Sequence, residues 1–415
     1  MLKPVINILF FFIVTLSFSQ TEEEIAPPFN IKTVAFTQNG NNITPFIKLG
    51  DHFEIQFDDL YGNEADYYYT LTLCNYNWSQ TTLVKSEYLK GLDNQRIMNY
   101  QNSFNTLQQY SHYKQNFPNK FNTITKSGNY ILKIFNEDQE LVFSRKFIIY
   151  EDLVGVNLNV KRARDFEHID EKQNMEMTVD YGDWVLQNPT QNIKVSFFQN
   201  GNWKNAIHNV KPQYTLGTKL IYRYNKETQF WAGNEFYTLD NSLVRSVNNT
   251  VAKVTAGDIY NTHLYYNYPR ANKPYTYFPD FNGNFYALNK NAENAEIEAD
   301  YTWVYFSLDA PSFFLNNNIY VNGMFNNYNL NEESKLQYNK ESGLYEKALL
   351  LKQGYINYQY IIADASGKID TKNAIDGNFY LTENNYTAII YYKGNNDRYD
   401  KVIGIAKTSS ESIRN

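Results

Sequence analysis

The 415-residue sequence has a single cysteine, Cys74, which excludes an intrachain disulfide and any zinc-ribbon or iron–sulfur site built from cysteines of this chain alone. Its five histidines (His52, His112, His168, His208 and His263) stand singly, with neither H-E-x-x-H nor H-x-H spacing. A Gly-x-Ser-x-Gly elbow, a P-loop and a dinucleotide fingerprint are also missing. No charge dominates: 38 Lys and Arg stand against 44 Asp and Glu, a formal net charge of −6. Such a chain has no global field to gather a polyanion, so nucleic acid is excluded as its main partner. Beyond residue 18 no apolar run exceeds a handful of residues. Good helix formers are sparse as well, which excludes a helical bundle.

What is present is aromatic and amide-rich. The chain holds 37 Tyr, 28 Phe and 56 Asn, with 43% hydrophobic and 20% charged residues. That is enough apolar material for a large core. Tyr, Phe and the β-branched residues suit a half-buried pleated surface, and Asn suits turns and positive φ. An all-β chain follows.

Lys3 and the 14-residue apolar stretch 5–18, closed by Ser17-Phe18-Ser19, read as a signal peptide over residues 1–19 with Gln20 as the mature N-terminus. The stretch is short for a bilayer span, and no lipid-anchoring cysteine follows it. The expected location is therefore beyond the inner membrane. Cys74 sits in the apolar run 67–74 and reads as a buried core residue.

Three blocks follow. Residues 29–150 carry strand-like runs at 31–36, 52–57, 67–74, 130–135 and 141–150, separated by turn signals such as Asn39-Gly40 and Ser127-Gly128-Asn129. This is the pattern of an immunoglobulin-like β-sandwich. Within 94–109, Ile97, Tyr100, Phe104 and Leu107 recur at a spacing that also permits a helical turn or two. Residues 151–298 form a middle β-rich block. Its charged stretch Lys161-Arg162-Ala163-Arg164-Asp165 reads as a solvated strand edge. Residues 299–407 open with Tyr301-Thr302-Trp303-Val304-Tyr305-Phe306. Their later order, Asn322-Gly323-Met324-Phe325-Asn326-Asn327-Tyr328 and then Gly354-Tyr355-Ile356-Asn357-Tyr358-Gln359-Tyr360, resembles early-Set modules related to glycogen- and starch-binding domains. Those modules usually place a tryptophan where Tyr328 stands here. Tandem immunoglobulin-like and early-Set β-sandwiches are thus expected.

Chemistry-bearing candidates are few. Asp280-Phe281-Asn282-Gly283-Asn284 has part of a calcium-loop rhythm but reads as a turn. Glu293, Glu296, Glu298 and Asp300 could supply paired carboxylates, and read instead as a solvated linker. A transmembrane barrel is disfavoured because runs such as 130–135 and 147–150 are apolar on both faces and the chain ends Ile413-Arg414-Asn415. The densely aromatic segment 265–281 contains Pro269, Pro274 and Pro279, so it forms a stiff loop rather than a paired strand. Tyr275, Tyr277 and Phe278 on it are the candidate partner-docking residues, since aromatic side chains dominate interface cores.

Several stretches together resemble one family. They include Phe57-Asp58-Asp59-Leu60, Leu73-Cys74-Asn75-Tyr76-Asn77-Trp78 and Ser103-Phe104-Asn105-Thr106. The series continues through Phe117-Pro118-Asn119, Pro274 to Gly283, Trp303-Val304-Tyr305-Phe306 and Lys352 to Tyr360. In that order they are similar to the type IX secretion system plug proteins of Bacteroidetes. The resemblance implies a non-enzymatic, cofactor-free periplasmic protein at the inner face of the outer membrane. There a single copy would dock on the giant outer-membrane translocon β-barrel and close its periplasmic opening. The residues alone also admit a periplasmic scaffold or a carbohydrate-binding module.

Overall fold

The computed structural model describes residues 21–310 and 317–413; the expected signal peptide lies outside the described residues. Strands dominate, and they assemble into three two-sheet sandwiches, each around its own apolar core.

In the first sandwich, one sheet runs Asn41–Asn42, Ile31–Gln38, Phe53–Asp59, Ser111–Phe117, Asn99–Asn102. The facing sheet runs Phe46–Lys48, Leu141–Tyr150, Gly128–Phe135, Tyr68–Cys74, Gln95–Arg96. Alternation along Phe53–Asp59 sends Phe53, Ile55 and Phe57 inward. The Phe57 ring stacks on Tyr113 at 5.1 Å and meets Phe143 edge-on at 5.3 Å. Cys74 is fully buried, and burial pushes its thiol up to about 12. The spacing within 94–109 builds no helix: Ile97 enters the core, whereas Phe104 and Leu107 lie exposed on a loop. Pairing of Gln95–Arg96 and Asn99–Asn102 with neighbouring strands overrides the helical period there.

The second sandwich closes in an unexpected way. One sheet contains Gly155–Arg162, Lys172–Asp180, Lys219–Tyr222 and Tyr214–Leu216, with Gln229–Trp231 also paired to Lys172–Asp180. The other runs Ile207–Val210, Ile193–Gln199, Asn385–Tyr392, Lys401–Ser409. Sequence grouping puts the last two strands in the third block, but seven residues of Asn385–Tyr392 pair with Ile193–Gln199, and Tyr386, Ala388 and Ile390 lie in the second core. The charged stretch at 161–164 does end an edge strand, where Lys161 and Arg164 both reach Glu176, at 2.7 and 2.8 Å.

The third sandwich is inserted between Trp231 and Asn385. Gly354–Ala363 is its central strand, flanked by Tyr237–Asp240 and by Phe285–Ala287 and Asn318–Asn322. The opposing sheet runs Val251–Thr255, Asn261–Leu264, Tyr301–Leu308, Leu344–Lys352, Gln337–Asn339. Leu239, Val251, Leu264 and Phe285, which the sequence grouping assigns to the middle block, therefore pack in this third core.

Two joints lock the sandwiches together. The first joins sandwiches one and two through a further apolar cluster, Phe46, Ile148, Phe198, Ile389, Tyr391 and Val402. At its rim the Tyr391 hydroxyl donates to Asn129 Oδ1 at 2.9 Å, and Asp400 accepts from Lys194 Nζ at 3.0 Å. The second joint joins sandwiches one and three, where a small apolar cluster of Leu60, Tyr110, Tyr301 and Leu350 lies beside a buried polar centre. Asp58, fully buried, lies 2.7 Å from Lys352 Nζ, 2.6 Å from His112 Nδ1 and 2.6 Å from the Tyr301 hydroxyl. Lys352 Nζ also donates to the Glu296 carbonyl at 2.6 Å and stands 4.2 Å from the Tyr110 ring centre. Glu296 Oε2 pairs with Lys114 at 2.5 Å, and the Asp300 carboxylate accepts from the Leu107 and Gln108 amides at 2.9 and 3.1 Å. The acidic run before Tyr301 is thus a brace. Burial works against ionised Asp58, but Lys352 and His112 outweigh it and hold its carboxyl below the usual carboxylate range.

Removing Lys352 leaves the Asp58 charge buried with only His112 and the Tyr301 hydroxyl beside it. Lys352→Met should therefore cost about 3–5 kcal/mol in urea unfolding, and adding Asp58→Asn to it should recover part of the loss. Because the Asp58 carboxyl is depressed in the folded state, its contribution is present above the ordinary Asp value near about 4 and is lost as pH falls through the lower folded value. Acid unfolding below about pH 4 should be steeper for wild type than for Asp58→Asn. Cys74 should resist a thiol reagent in the native protein and react fully in denaturant; comparable rates in both conditions would contradict its burial.

Candidate functional site: an aromatic loop stapled over the crossover

Segment 265–281 leaves the strand Asn261–Leu264 and returns to Phe285–Ala287 without pairing as a strand of its own. Its prolines remove amide donors and preset φ, so beyond a short backbone bridge from Asn267 to Ser307 and Asp309 it is fastened largely by side chains. They fasten it to the two segments that carry the chain into and out of the third sandwich. Arg270 Nε donates to Asp376 Oδ1 at 2.9 Å, its Nη2 donates to the Glu235 carbonyl at 2.7 Å, and the guanidinium lies 3.9 Å over the Tyr237 ring. Tyr237 gives its hydroxyl to the same Asp376 oxygen at 2.8 Å. The Ala271 amide donates to the Ile375 carbonyl at 3.2 Å.

The three candidate docking residues do not share one environment. Tyr275 is half-buried; its hydroxyl contacts Glu235 Oε1 and lies 3.0 Å from the Leu381 carbonyl, and its ring packs 5.7 Å from Phe379. It fixes the loop to the crossover. Tyr277 and Phe278 are 44% and 55% exposed, and Tyr277 donates to Glu383 Oε2 at 3.0 Å. Tyr265, Tyr266, Tyr268 and Phe281 are exposed on the same loop. The loop therefore presents an aromatic surface held from beneath by polar bonds.

Asp280 forms the turn at the loop's end. Its two carboxylate oxygens accept from the Phe236 and Asn282 amides, both at 2.6 Å, and Asn282 and Gly283 take φ of +53° and +84°. Burial, with Glu235 and Glu383 adding repulsion, pushes the Asp280 carboxyl up to about 7 despite those two amides. The segment is a turn, and no group of three or more His, Cys, Asp or Glu is placed to hold a metal among the described residues. Tyr328 is buried, takes φ +53° and donates to the Asn200 carbonyl at 3.2 Å. Its ring cannot serve as the exposed platform a glycan needs there. Sequence reasoning missed Glu235, Arg270 and Asp376, whose only signal was charge set among aromatic residues.

The comparisons agree with the fold. No curated protein matches the chain. A crystal structure of a hypothetical protein from Parabacteroides merdae ATCC 43184 superposes with a TM-score of 0.88 at 30% identity, covering 94% of this chain and 100% of that one. A family model, the type 9 secretion system plug protein 1st domain, matches residues 31–151, the span of the first sandwich. The first sandwich is thus the first domain of a type IX secretion system plug protein, which supports that family for the chain.

Proposed function

We propose that this protein is a non-enzymatic periplasmic plug: one copy docks on the periplasmic opening of the outer-membrane translocon barrel of the type IX secretion system and closes it when no cargo passes. The observation that carries the reading is the family match over residues 31–151 in a body whose three sandwiches are locked by one apolar and one ionic joint. A stopper must resist deformation, and these joints oppose hinging between its parts. It must also release, which favours a modest polar contact with a few aromatic anchors over an extensive apolar one. No helix among the described residues is long and apolar enough to cross a membrane.

Tyr277 and Phe278 are the proposed anchors, with Tyr275 holding their loop in place. Preset by proline and pinned from beneath, the loop loses little conformational entropy on docking.

Mild-detergent purification of the tagged protein from outer membranes tests the reading; it should bring down a very large barrel with the plug seated at its periplasmic mouth. Isolation as a free monomer would sink it. A deletion strain should leak small periplasmic solutes, whereas loss of secretion without leakage would indicate a scaffold. Tyr277→Ser with Phe278→Ser should weaken barrel association at least about tenfold, roughly 1.4 kcal/mol, while thermal stability stays within about 0.5 kcal/mol of wild type. Tyr275→Ser should instead lower the unfolding midpoint.

A further inference from the structure

Arg145 lies on the strand Leu141–Tyr150 at 7% exposure. Its Nη1 donates to the carbonyl of its neighbour Ser144 at 3.0 Å, and its guanidinium stands 5.5 Å from the Phe143 ring centre. Among the described residues no carboxylate lies within ion-pairing distance of it. Glu24 exerts the opposing field, but its two oxygens already accept from the Lys146 amide at 2.7 Å and from Asn327 Nδ2 at 2.8 Å. The other cations nearby are occupied: Lys32 pairs with Glu333, and Lys146 Nζ with Glu23 at 3.4 Å. A buried cation with no directly paired counter-charge is costly, and native proteins pair such groups.

Two cavities, of about 70 and 40 Å³, both have Arg145 and Val34 in their walls. The larger adds Asn326, Asn329 and Ser334 from the third sandwich; the smaller reaches Trp203 of the second. Between Lys32 and Ala35 the strand Ile31–Gln38 loses register, so Thr33 and Val34 bulge from the ladder beside these spaces. Thr33 takes φ +54°, a conformation that a β-branched residue rarely adopts. Such strain is held only where the surroundings impose it, and bulges of this kind cluster near binding sites.

We propose that this pair of cavities is a binding site for a small oxyanion, a carboxylate or a phosphate group, gripped by the Arg145 guanidinium where the three sandwiches meet. The planar guanidinium fork matches either group in a bidentate contact. The larger cavity has room for several water-sized groups; Asn329 and Asn331 line it, and its one carboxylate, Glu333, is paired with Lys32. An occupant of the larger cavity would touch the first and third sandwiches and tighten them together, and one in the smaller would meet the second as well.

The test uses the whole mature chain in a buffer free of phosphate and carboxylate. Inorganic phosphate or butyrate is added to about 20 mM, with chloride at matched ionic strength as control, and the unfolding midpoint is followed. One of the two should raise the wild-type midpoint by about 2 °C or more over chloride. A phosphate response would assign a phosphate ligand, and a butyrate response a carboxylate. Arg145→Met should abolish the response, and Arg145→Lys, which keeps the charge but loses the fork, should need at least about tenfold more ligand for the same shift. Absence of a wild-type response to either anion overturns the proposal, as does an equal response in Arg145→Met; the wild-type measurement decides even if a variant fails to fold.

Discussion

Asp58 and Lys352 are nearly 300 residues apart in the chain and 2.7 Å apart in space, both shut away from water. Much of the arrangement depends on that contact. Asp58 sits on the first sandwich and Lys352 on the third, so the ion pair forms only when the two are seated at full depth. A buried pair of this kind adds little net energy over an apolar filling, but it strongly penalises every arrangement that separates its members. The apolar joint between the first and second sandwiches contributes area without such a requirement. The apolar clusters supply cohesion, and the buried ion pair sets the angle.

The same division recurs at the crossover. Arg270, Asp376, Glu235 and Tyr237 tie together two stretches of chain that the insertion brings side by side, and the aromatic loop rests on them. Rings such as Phe278 and Tyr268 stay exposed on its outer side while polar groups on its inner side carry the anchoring. This separates the loop's shape from its surface.

Local features of the chain were legible in the sequence, and long-range ones were not. Runs such as 31–36 and 130–135 became strands because aromatic and β-branched content is a local property, and the Asn39-Gly40 turn lies where expected, whereas Gly128 and Asn129 open the strand Gly128–Phe135 instead of turning. Buried Cys74 and the charged edge at 161–164 were legible for the same reason. The partners of Tyr386 and Leu239 were not, since strand pairing depends on contacts that leave no local period. The site was half legible. Proline and aromatic content marked the loop, but that Tyr275 turns inward while Tyr277 and Phe278 face out depends on Glu235 and Leu381, distant in sequence. Asp58 gave little sign beyond being an acid in an apolar strand, and His112 was one of five unremarkable histidines.

Because the strands Asn385–Tyr392 and Lys401–Ser409 complete a sheet begun at Ile193–Gln199, the middle sandwich is the last of the three to be finished as the chain is delivered from its N-terminus. The inserted sandwich contains all its own strands and can close first. Until the final strands arrive, Ile193–Gln199 offers an open, strongly apolar edge, the kind of surface that pairs wrongly with other chains. The interval of exposure thus opens when Ile193–Gln199 is delivered and closes only with Lys401–Ser409, and a holding chaperone would have the most to protect within it.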